Sequence, residues 1–229
     1  MKQRARVGLL GGTLDPMHLG HVETARGAMK ALALDQVIVL PARVPPHRAG
    51  EPMASPFHRF AMAALCAADH DWMTVSDDEL QAPGPSFTAA TLERLLAAGY
   101  DRSQLFFITG ADAFAEIETW HRYPDVLKLA NFAVVSRPRW PVGDLAARLP
   151  ALADRFVTAA ATPRGSGTAI FLVDARTPDV SSTDIRRRLS GAQSVDGLVC
   201  PAVLRHITRH HLYDSGARAG VANELHGQD

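Results

Sequence analysis

The chain has 229 residues, of which 47% are hydrophobic and 21% are charged, a composition typical of an ordinary globular protein. Its formal net charge is zero, so no global electrostatic term favours binding to nucleic acid or to a membrane surface. The apolar run behind the basic N-terminus is too short for a signal peptide, and no run reaches the length of a membrane span. We therefore expect a soluble, cytoplasmic protein.

Strand-like and helix-like patterns alternate along almost the whole chain, beginning with a buried strand at residues 5–10 and a helix at 22–34. The further predicted strands cover residues 37–40, 73–75, 105–108, 132–135 and 169–173. The further predicted helices cover residues 57–68, 86–98, 112–119, 123–129, 182–189 and 202–209, the second of them capped by Ser86. This alternation predicts an α/β fold, a doubly wound parallel sheet with helices on both faces.

The sequence contains no linker that would divide the fold, so we expect a single domain over residues 1–214. Residues 215–229 are small and polar, and we expect them to form a disordered tail. In a doubly wound sheet, ligands bind at the carboxyl ends of strands, near the point where the strand order reverses. A site is therefore expected in the loops that follow the predicted strands.

The two cysteines, Cys66 and Cys200, are far apart in the sequence and lie in apolar surroundings. Buried cysteine commonly behaves as a small hydrophobic residue. We therefore expect two small buried hydrophobes rather than a disulfide or a pair of metal ligands.

The most informative loop is residues 11–21, Gly-Gly-Thr-Leu-Asp-Pro-Met-His-Leu-Gly-His, between the first strand and the first helix. Glycines and a helix N-terminus bring unpaired backbone N–H groups together, which suits an anion such as phosphate. The spacing matches neither the GxGxxG dinucleotide fingerprint nor the GxxxxGK[ST] phosphate loop. A different phosphate chemistry is therefore indicated.

Two imidazoles in this loop, His18 and His21, stand three residues apart and can lie on one helix face. Three roles are open to them: structural packing, half of a zinc site, or hydrogen bonding to a phosphate group. No convincing third and fourth zinc ligand lies nearby in the sequence. The preceding Gly11-Gly12-Thr13 favours phosphate.

Residues 11–21 resemble the nucleotidyltransferase signature GGTFDPxHxGH, with Leu14 in place of the usual phenylalanine. Residues 181–186, Ser-Ser-Thr-Asp-Ile-Arg, resemble the second motif of the same superfamily, SSTxIR. Both motifs occur in the expected order and well separated. The resemblance implies the Rossmann-like, nucleotidyltransferase type of parallel sheet.

Three further stretches resemble bacterial nicotinate-nucleotide adenylyltransferase: Pro45-Pro46-His47-Arg48, Pro85-Ser86-Phe87-Thr88, and Gly110-Ala111-Asp112 with Trp120. Together with the two motifs, the resemblance spans residues 7 to about 190. It implies an enzyme that makes nicotinate adenine dinucleotide and pyrophosphate from ATP and nicotinate mononucleotide, with magnesium. Such a transfer needs positioning and charge stabilisation rather than a protein nucleophile.

The same resemblance implies roles for individual residues. His18 and His21 would be catalytic, contacting the ATP phosphates and stabilising charge at the α-phosphoryl group. The residues that would bind ATP are Gly11, Gly12, Thr13, Gly110, Asp112, Ser181, Ser182, Thr183 and Arg186. His47 and Arg48 would lie on a loop that closes over phosphates. The residues that would bind nicotinate mononucleotide are Thr88, Trp120 and Arg137, the last as a candidate for a phosphate contact.

Alternatives stay open at this point. Magnesium is expected to be held mainly by substrate phosphates and water, without a protein-only metal site, and Asp15 has no clear role. The acceptor could instead be nicotinamide mononucleotide or phosphopantetheine, or the chain could be a non-catalytic nucleotide sensor. No nucleic acid or membrane partner is expected, and a homo-oligomer is left open.

Overall fold

The computed structural model describes residues 5–46, 54–159 and 167–214. Within them seven strands form one sheet, and every hydrogen-bonded pair of strands is parallel. The strands are β1 (Val7–Gly12), β2 (Gln36–Pro41), β3 (Met73–Val75), β4 (Leu105–Gly110), β5 (Asn131–Val135), β6 (Phe156–Thr158) and β7 (Ile170–Val173). Their order across the sheet is β3-β2-β1-β4-β5-β7-β6, which confirms the predicted Rossmann-like, doubly wound fold.

Helices cover both faces of the sheet. In the described ranges they are α1 (Leu19–Leu32), α2 (Pro56–Ala67), α3 (Asp78–Gln81), α4 (Thr88–Ala97), α5 (Ala111–Phe114), α6 (Leu145–Arg148), α7 (Ser182–Ser190) and α8 (Pro201–Arg209). Buried residues of α1, α2, α7 and α8 pack with Leu10 and Ile108 on one face. Those of α4, α5 and α6 pack with Leu9 and Phe107 on the other face. Burial on both faces explains why the central strands read as unbroken apolar runs.

No helix in these ranges is both long enough and apolar enough to cross a bilayer.

The helices predicted at residues 112–119 and 123–129 are broken in the structure. α5 ends at Phe114, and 3₁₀ turns follow at Ile117–Thr119 and Asp125–Lys128.

Some short elements differ from the predictions as well. β6 and α3 were missed, because three or four residues are too few to show a period. Ser86 does not cap α4, which begins at Thr88 after Phe87. The Oγ atom of Ser86 instead accepts a hydrogen bond from the backbone N–H of Arg43 at 2.9 Å.

The expectation of two unpaired cysteines was wrong. Cys66 in α2 and Cys200 at the start of α8 form a disulfide with their Cα atoms 5.7 Å apart. Both residues are buried, as their apolar neighbours indicated. The pairing depends on the packing of α8 against α2, and 134 residues separate the two cysteines, so the sequence alone gave no sign of it.

The strand order reverses between β1 and β4, which run side by side at the centre of the sheet. The carboxyl ends of β1 and β4 carry Gly11-Gly12 and Gly110. In this class of fold the crevice beyond such a reversal binds the ligand. The fold therefore brings the loop of residues 11–21 to the position where a site is expected.

Candidate active site

The loop between β1 and α1 makes a sharp turn at the crevice. Leu14 has a φ of 54°, in the left-handed region that leucine rarely occupies, and only 2% of its surface is exposed. Asp15 and Met17 are fully buried after this turn. α1 then begins at Leu19, three residues before the predicted start at Val22, so His18 is its N-cap residue.

His18 and His21 have stacked rings with their centroids 3.7 Å apart. The backbone N–H of His18 donates to Nδ1 of His21 at 3.2 Å, so a neutral His21 ring carries its proton on Nε2. His18 is 2% exposed, and its Nδ1 has no hydrogen-bond partner among the described residues. Because a buried polar atom without a partner costs free energy, this atom suits contact with a ligand.

Burial, followed by electrostatic interactions with His21 and Arg137, holds the pKa of His18 far below its ordinary value. The ring is therefore a neutral hydrogen-bonding group at physiological pH.

Gly20 makes the close packing of His18 and Arg137 possible, because a Cβ atom at residue 20 would lie 2.9 Å from the His18 ring and 3.2 Å from Nη1 of Arg137. Glycine is required at this position by close approach of neighbouring side chains.

Arg137 follows β5 and reaches the same turn. Its Nη2 donates to the carbonyl oxygen of Val180 at 3.1 Å, immediately before the second motif. Its side chain also packs against Gly110 at the end of β4. The structure therefore places Arg137 beside His18 and between the two motifs.

The second motif forms the start of α7 and contacts the first motif directly. Oγ of Ser182 donates to the carbonyl oxygen of Pro16 at 2.9 Å, and Nη1 of Arg186 donates to that of Asp15 at 2.6 Å. Ser181 caps the helix by accepting from the backbone N–H of Asp184. Ser181 and the neighbouring Thr183 are exposed, whereas Ser182 is buried and holds the first motif.

Asp15, for which the sequence gave no clear role, is fully buried beneath the turn. Its Oδ1 accepts hydrogen bonds from the Tyr213 hydroxyl at 2.7 Å and from the backbone N–H of Ala54 at 3.2 Å. Nη1 of Arg186 lies 3.9 Å from its Oδ2. Burial, and then the charge of Asp15, raises the pKa of Tyr213 above its ordinary value. Asp15 thus fastens the turn to three distant segments.

A pocket of about 280 Å³ opens beside the first motif, and we call it the aromatic pocket. Its lining includes Gly11, Gly12, Thr13, Ala42, Pro45, Pro46, Glu79, Phe87, Thr88, Phe107, Trp120 and His121. The ring of Trp120 stands edge-on to that of Phe107, with centroids 5.9 Å apart. The predicted Thr88 and Trp120 are thus brought together with Gly11, Gly12 and Thr13, whereas Arg137 is not part of this lining.

Glu79 lines the aromatic pocket, although the sequence gave no reason to select it. It is 5% exposed, and its Oε1 accepts from the Thr91 hydroxyl at 2.7 Å. Burial raises the pKa of its carboxyl group, against the hydrogen bonds from Thr91 and Ser86 that favour ionisation. In the sequence this residue stands in a polar stretch that is typical of solvated loops.

The remaining predicted residues fall into two groups. Gly110 ends β4, and the exposed Asp112 lies so close to it that a Cβ atom on Gly110 would overlap the carboxylate. His47 and Arg48 lie outside the described residues, so their role stays a prediction.

Comparisons with known proteins show what the whole chain is similar to. The cytidylyltransferase-like family model matches residues 9–188 of the chain. A protein of a Roseiflexus species, named probable nicotinate-nucleotide adenylyltransferase, is 40% identical over 209 residues, which cover 91% of this chain and 98% of that protein. A protein of the same name from Cronobacter sakazakii is also 40% identical over 209 residues, covering 89% and 93% of the two chains.

Solved structures extend the comparison to the fold. The nicotinic acid mononucleotide adenylyltransferase of Plasmodium falciparum, complexed with NaAD, superposes with a TM-score of 0.69 at 13% identity. The match covers 92% of this chain and 98% of that one. The same protein complexed with APC gives a TM-score of 0.67 at 13% identity. At this level of identity the likeness concerns the fold.

Proposed function

We infer the reaction from one premise: this chain belongs to the cytidylyltransferase-like family and, within it, to the nicotinate-nucleotide adenylyltransferases. It is an enzyme of NAD biosynthesis that joins ATP and nicotinate mononucleotide to give nicotinate adenine dinucleotide and pyrophosphate. One observation carries the assignment of this reaction to the crevice. The aromatic pocket and the two motifs share the turn after β1, so a pyridine ring and a triphosphate can bind side by side.

The reaction requires no covalent step on the protein. A phosphate oxygen of nicotinate mononucleotide attacks the α-phosphorus of ATP in line, and a new phosphorus–oxygen bond forms. The bond from that phosphorus to the bridging oxygen of pyrophosphate breaks, and the electron pair leaves with pyrophosphate. Charge shifts among phosphoryl oxygens during this exchange, so the protein can act through positioning and hydrogen-bond donors.

We assign the α-phosphoryl group to the N-terminus of α1. The buried, neutral ring of His18 would donate a hydrogen bond to a phosphoryl oxygen there, and its Nδ1 is a ring nitrogen with no partner in the part of the chain that the structure describes. His21, whose neutral ring has its proton on Nε2, would supply a second donor. Arg137, which packs beside His18, would add positive charge where negative charge develops.

We assign the β- and γ-phosphates to the N-terminus of α7. The exposed Ser181 and Thr183, together with the backbone N–H groups of the first turn, would contact them. Ser182 and Arg186 would support these contacts, because their bonds to Pro16 and Asp15 fix the two motifs relative to each other. Gly110 and Asp112 would lie near the ribose of the nucleotide.

We assign the pyridine ring to the aromatic pocket. Trp120 offers a partly buried ring face there, and Thr88 begins α4, whose first backbone N–H groups have no helical partner. A pyridine carboxylate would accept hydrogen bonds from such groups. This assignment supports the acid substrate over the amide.

Magnesium enters this proposal as part of the substrate MgATP. In residues 5–46, 54–159 and 167–214 no group of three or more histidine, cysteine, aspartate or glutamate side chains could hold a metal ion. The buried carboxylate of Asp15 is engaged by Tyr213 and Ala54 beneath the turn. Because Mg²⁺ retains much of its water and binds phosphates well, substrate oxygens and water would complete its coordination.

An acceptor assay tests the proposal. Purified protein is mixed with MgATP and, separately, with nicotinate mononucleotide, nicotinamide mononucleotide or phosphopantetheine, and pyrophosphate release is recorded. We expect release with the nicotinate compound at a kcat/KM at least about tenfold above that with the amide, because the pocket would discriminate through hydrogen bonds to the carboxylate. Tight ATP binding without release from any acceptor would instead indicate a nucleotide sensor.

Three further expectations stay predictions. They are a cytoplasmic location, the single domain over residues 1–214, and a homo-oligomeric state, which was left open. The Cys66–Cys200 disulfide bears on the first, because disulfides are uncommon in reducing compartments. Alkylation of free thiols at the moment of cell lysis, followed by counting the alkylated cysteines, would show whether the bond is present in cells.

A further inference from the structure

Arg59, in α2, is an arginine among the largest fully buried side chains of the described residues. Its guanidinium donates to four backbone carbonyl oxygens. Nη1 reaches Thr13 at 2.7 Å and Ala42 at 2.5 Å. Nη2 reaches Arg43 at 3.1 Å, and Nε reaches Ala54 at 3.2 Å. A single side chain thus connects three separate segments of backbone.

All three segments belong to the site. Thr13 follows β1 in the turn that leads to His18, and it lines the aromatic pocket. Ala42 also lines the pocket and directly follows β2, while Arg43 leads on to the pocket residues Pro45 and Pro46. Ala54 precedes α2, and its N–H donates to Asp15. The guanidinium therefore bonds to both walls of the crevice at the point where the ladder between β1 and β2 ends.

This position is costly if fold stability is its only purpose. Removing a cation from water carries a large desolvation penalty, and apolar side chains of similar volume commonly serve stability as well or better. Met62, another fully buried residue of α2, is apolar and packs in the core on this face of the sheet. An arginine has the advantage that its planar fork fixes several acceptors in one geometry.

We propose that Arg59 is a positioning residue for adenylyl transfer, holding the Thr13 turn and the pocket wall at residues 42–46 in one fixed relation. The proposal rests on the proposed function, because it concerns the geometry between the two substrates. Thr13 belongs to the phosphate-binding turn, and the wall bounds the site for the pyridine ring. A small change in the distance between these segments would separate the attacking phosphate from the α-phosphorus, and misplacement of about 1 Å can cost roughly 10²-fold in rate.

The test uses the full-length protein and three variants. Arg59→Met removes the donors while keeping most of the volume, and Arg59→Lys keeps the charge but not the fork. Met62→Ala, on the same helix and equally buried, is the control for loss of stability without loss of the carbonyl contacts. For each protein we would measure the Tm, the affinity for ATP by calorimetry, and kcat and KM for both substrates at a temperature well below every Tm.

We expect Arg59→Met to lower kcat/KM at least about tenfold and to weaken ATP binding, with Arg59→Lys intermediate. Met62→Ala should lose a comparable amount of Tm and retain its kinetic constants within about twofold. The proposal is overturned if the Arg59 variants lose only Tm, or if Met62→Ala loses activity in the same proportion to its Tm loss. If Arg59→Met does not fold, the comparison of Arg59→Lys with Met62→Ala decides.

The wild-type protein separates this proposal from the proposed function. Absence of pyrophosphate release from the wild type would remove the adenylyltransferase assignment. The affinity of the variants for ATP, which needs no turnover, would still judge whether Arg59 positions the phosphate turn.

Discussion

The two motifs meet at one edge of the sheet but use their polar side chains differently. In the first motif His18 keeps a buried ring nitrogen that has no partner among the described residues, and we propose that it faces a phosphoryl group. In the second motif Ser182 and Arg186 donate to the backbone of the first motif at Pro16 and Asp15. The two motifs therefore resemble family signatures equally, but their polar side chains have different partners. In our proposal the first motif binds the α-phosphoryl group through its imidazoles. The second motif supports the first through Ser182 and Arg186 and binds the β- and γ-phosphates through Ser181 and Thr183.

The largest expected effect comes from the first motif. Replacing His18 by Ala should lower kcat by roughly 10²-fold or more, because it removes a donor to the charge that develops in the transition state. The Tm should fall as well, because the variant removes a buried ring that stacks on His21 and leaves a cavity. Steady-state pyrophosphate release and thermal unfolding of the same preparation would measure both. A large fall in Tm with a modest fall in kcat would place His18 with the residues that only hold the turn.

Arg186→Met should act through the stability of the turn. It removes the charged donor to the carbonyl oxygen of Asp15 in a largely buried setting, at a cost of about 1.5–3 kcal/mol in the free energy of unfolding. ATP affinity should fall as well, because the turn loses its support. Denaturant unfolding and calorimetry would measure the two changes. Unaltered stability together with lost ATP binding would mean that Arg186 acts directly on the substrate.

Tyr213→Phe isolates the supporting role. The variant leaves Oδ1 of Asp15 without the phenol that now donates at 2.7 Å, which should cost about 1–3 kcal/mol of stability. Because Tyr213 lies beneath the turn, we expect kcat to stay within about twofold at temperatures where the variant is folded. Urea unfolding at pH 7 measures the change in the free energy of unfolding, and the acceptor assay measures kcat. A tenfold loss of kcat would show that Asp15 needs the phenol to hold the turn in its active geometry.

The smallest effect concerns acid stability. Burial holds the pKa of His18 below its unfolded value, so below about pH 6.5 the unfolded chain binds more protons than the folded one, and stability falls as pH falls. His58 and His206, whose pKa values burial and then His210 lower, act in the same direction but are half-exposed. The loss of Tm between pH 7.5 and pH 5.5 should therefore be smaller in His18→Ala than in the wild type. In His206→Gln, the matched control, the loss of Tm over the same pH range should differ less from that of the wild type. Equal losses in all three proteins would contradict this assignment.

Much of this molecule could be predicted from local sequence. The central strands are unbroken apolar runs, and a parallel sheet buried on both faces requires such runs. The glycine-rich turn and the serine-capped helix are recognisable because backbone N–H groups at helix starts need these residue types. The family resemblance, rather than a local pattern, selected Trp120 and Thr88, and the structure brings both into the aromatic pocket.

What the sequence did not reveal depends on contacts between distant segments. Arg59, Glu79 and Tyr213 occur in stretches that look ordinary, and their importance comes from what they reach after folding. The disulfide was missed for the same reason. Local patterns also do not show which acceptors the hydrogen-bond donors of a motif will reach. Ser182 was expected at a phosphate, and its hydroxyl donates to the carbonyl oxygen of Pro16.

The bond between Asp15 and Tyr213 also bears on how the protein is made. These residues are separated by 198 positions, and Arg186 follows Asp15 by 171. A ribosome that has released the first motif must synthesise almost the whole domain before Arg186 and Tyr213, two of the partners of Asp15, exist. Contacts of such long range also form late and slowly, because the loop between them must close first. A nascent chain therefore carries the recognisable turn long before Arg186 and Tyr213 are available to hold it in shape.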